Sequence, residues 1–291
     1  MNPYSSNPDE IPASDRYADS PFYGRYFPKP NDFRVDLQHI NSHSEDSLKY
    51  WASIVARCNE SAQIFPAGEG GRDVFALGSV IIKSSHLHQE MEIDYTYADT
   101  NEVQSISIAK TVLKGVRVPE IFFSGRINGR QVLVQERLQG VGLNIAWPYL
   151  SGQQRDSFKT QARELLRQLN SVTPPGDVRT RTHVAQDQNI LTNGRIRPIE
   201  ADILFSSNID DDMGLMHNDF TRSNCIVNDD KIVGLIDWEM AGYFGWKTAA
   251  EVHRKIRSPQ REHFAKVDLS EEELLEIMSW NDLYDKELEK N

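Results

Sequence analysis

Cysteine is nearly missing from this sequence. Two residues, Cys58 and Cys225, stand among 291, too few for a disulfide framework or a thiolate metal centre, and their scarcity points to a reducing compartment. Positive charge is in deficit as well. Lys and Arg total 32 against 43 Asp and Glu, a formal net charge of −11. That balance repels phosphate backbones and anionic membrane surfaces, so nucleic acid is not an expected partner. No apolar run is long enough to cross a bilayer, and the first residues lack a basic segment followed by an apolar core. Neither a membrane span nor a signal peptide is expected, and the expected location is cytoplasmic. Internal repeats are absent too. What is present is 39% hydrophobic residues over a length sufficient for one large domain or two lobes with separate cores.

The chain divides by texture. Residues 1–41 carry six of the 13 prolines and many Ser and Asp residues, and read as an N-terminal tail whose Tyr17, Phe22, Tyr23, Tyr26 and Phe27 can dock on the body. SHSE at 42–45 has the capping-box pattern, predicting a helix from Ser42 with Leu48, Trp51, Ile54, Val55 and Cys58 on one face. Strand texture follows in AQIF, in DVFAL and in SVIIKSS, with the glycine-rich GEGG before the last two. A helix capped by Thr100 or Asn101 runs through Glu102 and Ile106 to Gly115. EIFFSG and RQVLVQERL then flank an Asn128–Gly129 turn. Residues 42–138 thus form a first lobe, a small antiparallel sheet with one helix packed on it, and 139–291 a mainly helical second lobe, with the boundary near Leu138 to Gly142. In the second lobe Ser151 caps a helix that Pro174 and Pro175 terminate. Residues 171–213 read as an irregular insertion with a strand at Asn189 to Thr192, and two helices are expected after Trp246.

The chemistry concentrates in LMHNDFTRSNCIVNDDKIVGLIDWEMAG, residues 215–242. If Asp229 and Asp230 make a two-residue turn, Cys225–Asn228 pairs antiparallel with Lys231–Gly234 and the hairpin ends meet. Asn224 and Asp237 then lie about a diagonal-neighbour spacing apart, ~7 Å between backbones. One carboxylate and one amide oxygen suit magnesium, which takes hard oxygen ligands and shares them with substrate phosphates. Asp219, on the loop before Asn224, faces the same mouth, where phosphoryl transfer needs an acceptor for the attacking hydroxyl's proton. His217 is expected to support that loop by hydrogen bonding, and Cys225 to be a buried strand residue.

HNDFTRSN at 217–224 followed by LIDWE at 235–239 resembles the catalytic and metal-binding motifs of the aminoglycoside phosphotransferase family, which has a protein-kinase-like fold. The resemblance spans about residues 62–246 and keeps its order upstream. It implies an α+β, two-lobed phosphotransferase using ATP or GTP with Mg2+ to phosphorylate a hydroxyl of a small molecule. Carried over by position, Asp219 is the catalytic base, and Asn224 and Asp237 hold the metal. Gly68, Gly70 and Gly71 cover the phosphates, Lys83 binds them, and Glu102 orients Lys83, with Glu90 and Glu92 as rivals for that role. The backbone of Gln135, Glu136, Arg137 and Leu138 holds the base, between apolar walls of Val74, Ile81, Ile226 and Ile236.

Two other readings stay beside it. A protein kinase is disfavoured because Asn218 follows His217 where Arg is usual, Trp238 and Glu239 follow Asp237, and 54 residues remain after Asp237. A nucleotide-binding regulatory protein without turnover usually loses the lysine, the base or the metal aspartate, and all three are here. Glu200, Asp202, Asp210, Asp211, Asp212, Glu239 and Glu251 are expected to make the acceptor's entrance acidic.

Overall fold

A computed structural model describes residues 6–11, 13, 23–65, 72–88, 94–176, 178–187, 189–191, 195–206, 209–264 and 269–285. The first strand, β1 (Arg25–Tyr26), lies inside the segment expected to be a tail. Helix α1 (Glu45–Val55) is capped by Ser44, whose side chain accepts from the Ser47 backbone N–H. The cap is therefore two residues later than the SHSE pattern predicts, because the neighbouring Ser42 hydroxyl instead accepts from the Ser47 hydroxyl at 2.8 Å.

Strands β2 (Gln63–Phe65), β3 (Asp73–Leu77) and β4 (Val80–Ser84) follow, then helix α2 (Thr96–Val112) and strands β5 (Ile121–Ile127) and β6 (Arg130–Glu136). They build an antiparallel five-stranded sheet in the order β2-β3-β4-β6-β5. Period-two alternation decides what each face carries. Phe75, Val80, Ile82, Val132 and Val134 turn inward onto Trp51, Ile54 and Val55 of α1, closing the first core. Val74, Ile81, Lys83 and Gln135 face the opposite way, into the space between the lobes. A one-residue slip would exchange the two sets.

Helix α2 starts at Thr96, ahead of both predicted caps. Asp94 accepts from the Thr96 N–H at 3.0 Å, so the polar residues Asp99, Asn101 and Glu102 are buried helix interior instead of a helix start. Farther along, Ile106, Ala109 and Leu113 join the core of the second lobe. The link after α2 does the same: Arg117 donates its N–H to Val233 and accepts from the Leu235 N–H, at 2.9 and 3.0 Å.

The second lobe opens with β7 (Gly140–Gly142) and the short α3 (Leu143–Ala146). Helix α4 (Gly152–Asn170) carries the full Ser151/Gln154 capping box and buries Phe158, Ala162, Leu165, Leu166 and Leu169. The 171–213 region is more ordered than its texture suggests, holding β8 (Thr182–His183) and α5 (Pro198–Phe205). Residues 189–191 form a turn, not a strand, and Thr192 lies outside the described residues. Strands β9 (Gly214–Met216), β10 (Cys225–Asn228), β11 (Lys231–Leu235) and β12 (Gly242–Phe244) precede helix α6 (Trp246–Val252), a π-helical turn at His253–Arg257, and α7 (Glu271–Met278). β12 lies between β8 and β9 in a three-stranded sheet, and β1, β7, β10 and β11 form a four-stranded one. Among the described residues no helix is long and apolar enough to cross a membrane.

Candidate active site

The β10–β11 hairpin forms as its sequence dictates. Asp229 and Asp230 both take left-handed backbone angles, φ 47° and 58°, the geometry of a tight two-residue turn that Asp tolerates better than most residues. Cys225 pairs with Leu235 and Asn228 with Lys231, with one bulge after Ile226. The ladder runs one step further, since Ile236 donates its N–H to the Asn224 carbonyl at 3.0 Å. Asn224 and Asp237 are thereby held at adjoining ends of the hairpin.

His217 sets the loop that carries Asp219. Its Nε2–H donates to the Ile236 carbonyl at 3.0 Å, and its Nδ1 accepts from the Asp219 N–H at 3.2 Å, which fixes a neutral ring. Burial pushes its pKa down to about 4. Asn218 and Asp237 sit at φ 58° and 65°, so both loops bend at left-handed positions occupied by Asn and Asp. The Asn224 side-chain nitrogen then donates to the Asp219 carbonyl at 2.9 Å and to its carboxylate at 3.0 Å. That aims the Asp219 carboxylate and leaves the Asn224 amide oxygen for a cation.

Across the cleft, the Lys83 ammonium donates to Glu102 at 2.8 Å and to Asp237 at 2.7 Å. Burial opposes both charges at the Lys83–Asp237 pair, but the partners outweigh it: Asp237 and Glu102 hold the lysine pKa up, and Lys83 holds the Asp237 carboxyl below its ordinary value. Glu102 is fully buried behind Lys83; its rivals Glu90 and Glu92 fall outside the described residues, as do Gly68, Gly70 and Gly71. Carboxylate oxygens of Glu102, Asp237 and Glu239 converge within 4.8 Å of one another. Lys83 and Arg72, the latter 3.8 Å from Glu239, offset part of their charge, and the oxygen donors are of the kind a hard divalent cation takes.

Asp219 is shifted as well. Burial pushes it up to about 7, with Arg257 pulling it down and Asp237 adding to the rise. Arg257 approaches at 3.5 Å, donates to the Asn218 carbonyl at 3.0 Å, and is itself paired with buried Glu200. This anchor is invisible in the sequence because the π-helical turn that presents Arg257 has no periodicity to read. Asn101 is a second residue missed. From inside α2 it donates to the carbonyls of Glu239 and Ala241, both at 2.8 Å, and accepts from the Ala185 N–H at 2.8 Å. It ties the stretch after Asp237 to the helix that carries Glu102.

The expected groups share one cleft of about 370 Å³, lined by Lys83, Asp219, Asn224 and Asp237 at one end and by Val74, Ile81, Gln135 to Leu138, Ile226 and Ile236 at the other. Gln135 is buried, and its Oε1 has no hydrogen-bond partner among the described residues, leaving an acceptor on the wall. A larger space of about 570 Å³ lies between Val178–His183, Gln186, Asp187, Ile190 and Phe205 and contains none of these groups.

The acidic entrance does not form as expected. Asp210 binds Arg181 at 2.7 Å, the Gly245 N–H at 2.7 Å and the Thr248 hydroxyl, while Asp212 accepts from the Trp246 N–H at 3.0 Å. Both are long-range caps of α6, whose own N-cap Gly245 has no side chain to offer. Glu200 is consumed by Arg257 and Glu251 by Lys255.

The description Phosphotransferase enzyme family matches residues 100–244 of this chain, the stretch that holds Glu102, Asp219, Asn224 and Asp237. Over that stretch the chain is similar to the phosphotransferase enzyme family. Its aminoglycoside-phosphotransferase members are small-molecule kinases with a kinase-like fold, and this phosphotransferase has that fold. The streptomycin-ATP-APH(2")-IIa ternary complex superimposes with a TM-score of 0.50 at 11% identity, over 88% of this chain and 87% of that one. The apoenzyme of macrolide 2'-phosphotransferase MphH from Brachybacterium faecium gives 0.44 at 14% identity, over 83% and 93%. The amicoumacin kinase hAmiN in complex with AMP-PNP, Ca2+ and Ami gives 0.44 at 15%, over 84% and 80%. No curated protein matches the phosphotransferase.

Proposed function

We propose that this phosphotransferase moves the terminal phosphoryl group of ATP or GTP onto a hydroxyl of a small molecule, with Asp219 as catalytic base and Asn224 and Asp237 as the ligands of Mg2+. The observation that carries it is the convergence of Lys83, Asp237, Asn224 and Asp219 at one end of a cleft whose other end is an apolar slot. The slot of Val74, Ile81, Ile226 and Ile236 suits the faces of a purine, and the Gln135 Oε1 offers a polar group at its edge. Lys83 suits the phosphates, with Glu102 behind it holding its position.

In the reaction the acceptor hydroxyl gives its proton to the Asp219 carboxylate as its oxygen bonds to the terminal phosphorus. The bond from that phosphorus to the bridging oxygen breaks, and the nucleoside diphosphate leaves with the electron pair. Asn224 keeps the carboxylate aimed, and burial keeps it basic enough to take the proton near neutral pH. A divalent ion, when bound, would neutralise phosphate charge. The test is a screen of hydroxylated metabolites, aminoglycosides and macrolides, following nucleoside diphosphate release with ATP and with GTP. Acceptor-dependent release by the parent, cut roughly 10²- to 10⁴-fold in Asp219→Asn with nucleotide affinity kept, is expected. Full turnover by that variant would remove Asp219 from the mechanism.

A further inference from the structure

The nucleotide cleft has a wall that belongs to neither lobe's expected boundaries. Tyr23, Gly24, Arg25 and Tyr26 line it beside Lys83 and Asp219. Strand β1 is a strand of the catalytic sheet: Arg25 pairs with Val141 and Tyr26 with Gly140, Gly142 donates its N–H to the Gly24 carbonyl at 2.7 Å, and β7 in turn pairs with β10. Eight residues on, the same segment is fastened to the other lobe. The Phe33 carbonyl accepts from both the N–H and the hydroxyl of Ser79, at 2.9 and 2.8 Å, in the β3–β4 turn. Gly78 there holds φ +54°, and a Cβ on it would collide with the Phe33 backbone, its oxygen lying 2.7 Å away. Only glycine allows so close an approach in that conformation.

Between the two attachments the chain is braced. Asp32 accepts from the Tyr26 hydroxyl at 3.0 Å and from the Lys29 N–H at 2.8 Å. The connector between the lobes is bolted to the segment through one side chain. Arg137 donates to the Arg25 carbonyl at 2.9 Å, lies 4.6 Å over the Tyr26 ring, and donates its own N–H to the Ser79 carbonyl at 2.9 Å. It therefore touches the first end of the segment and the turn that anchors the other end.

We propose that residues 24–33 are a strap, a second bridge between the lobes that forms the outer wall of the nucleotide cleft and fixes its width, with Arg137 and Tyr26 as positioning residues for the nucleotide. The proposal rests on the reading of this cleft as a nucleotide site. A strap of this kind lowers nucleotide affinity when released, because a cleft no longer held at its working width must be ordered on binding. The acceptor, approaching over residues 217–224, gains nothing from it.

The strap is tested at its two ends in the full chain, with Arg137→Met at one and Gly78→Ala at the other, and Arg137→Lys as the conservative variant. Binding of ATP and GTP is read by displacement of a fluorescent trinitrophenyl nucleotide, alongside the KM for nucleotide and for acceptor. Arg137→Met, which loses the guanidinium bond to the Arg25 carbonyl, and Gly78→Ala, which forces the Phe33 backbone off the turn, are each expected to weaken nucleotide binding about tenfold. Arg137→Lys should recover part of the loss, and the acceptor KM should stay within about twofold, a split that mere destabilisation does not produce. Should Gly78→Ala fail to fold, Tyr26→Phe, which loses only the hydroxyl bonded to Asp32, is expected to raise the nucleotide dissociation constant about threefold. Folded variants that all bind nucleotide like the parent would overturn the strap. A parent that binds neither nucleotide would overturn the reading of the cleft itself.

Discussion

The Lys83 ammonium lies 2.7 Å from the Asp237 carboxylate, joining a strand of the first lobe to the loop that ends the catalytic hairpin of the second. The two groups proposed to hold phosphates and metal are thus each other's partners. A bare buried carboxylate would be costly at this place, and so would a bare ammonium. Each keeps the other ionised, and Glu102 also pairs with Lys83.

Asp237→Asn separates these duties. The amide preserves the shape but loses the negative charge that a divalent ion needs, so the Mg2+ concentration giving half-maximal rate is expected to rise at least about tenfold. Turnover at saturating Mg2+ should fall by about 10² or more. A magnesium titration at fixed nucleotide checks it, and an unchanged midpoint would assign the cation to other ligands.

His217 is expected to act through geometry. Removing both of its hydrogen bonds in His217→Phe frees the Asp219 N–H and the Ile236 carbonyl, at about 1 kcal/mol or more each. Stability should drop by about 2–4 kcal/mol and kcat by an order of magnitude or more, with the nucleotide KM held. Steady-state kinetics and thermal unfolding together decide. A variant losing stability but keeping kcat would make the ring a packing residue only.

Of the residues proposed to carry the chemistry, those with short-range spacing are legible in the sequence. Asn224 and Asp237 lie at the ends of one hairpin, so local rules place them, whereas Lys83 and Gln135 are named through the family resemblance. Glu102 too is legible only through that resemblance, since the helix cap, Tyr95, lies five or six residues before the expected Thr100 or Asn101. Arg257, Asn101 and the strap are tertiary: each acts across more than thirty residues of chain, through a π-helical turn, a helix interior or an added edge strand, and no local pattern marks them. The acidic run at 210–212 misled for the same reason. Its charge was visible, but the partners of that charge were not.

Three buried histidines give the protein a pH limit. His183, His217 and His253 are held neutral by burial, their pKa values pushed down to about 3, 4 and 4. In the unfolded chain each protonates near 6.5, so the unfolded state binds more protons below that pH. The stability that these neutral rings supply is therefore full above about 6.5 and is lost progressively as pH falls towards 4. Asp219 and Glu102, which burial raises to about 7, take up protons in the folded state over the same range and oppose that loss, so denaturant midpoints measured from pH 7.5 to 4.5 report the balance of the two. His253 donates to the Trp280 carbonyl at 2.9 Å, and His253→Asn should flatten the slope by about one proton's worth, roughly 1.4 kcal/mol per pH unit. An equal slope in parent and variant would show that His253 is not among the groups responsible.

Asp210 decides between an acidic acceptor entrance and a structural cap. Four donors converge on its carboxylate from three places in the chain: Arg181 twice, the Gly245 N–H and the Thr248 hydroxyl. Burial opposes its ionisation, but these donors outweigh burial and hold its pKa below the ordinary value. A carboxylate so occupied has little left for a substrate amine. Asp210→Ala leaves Arg181, only 9% exposed at its side chain, without its counter-charge, and uncaps α6. The expected loss is about 3–5 kcal/mol of stability, the cost of breaking a largely buried pair. The acceptor KM, measured at a temperature where the variant is folded, should change by less than about twofold. The neighbouring Asp211 is exposed, so Asp211→Asn should alter neither quantity. A variant of Asp210 that keeps its melting temperature and raises the acceptor KM would return this carboxylate to the substrate site.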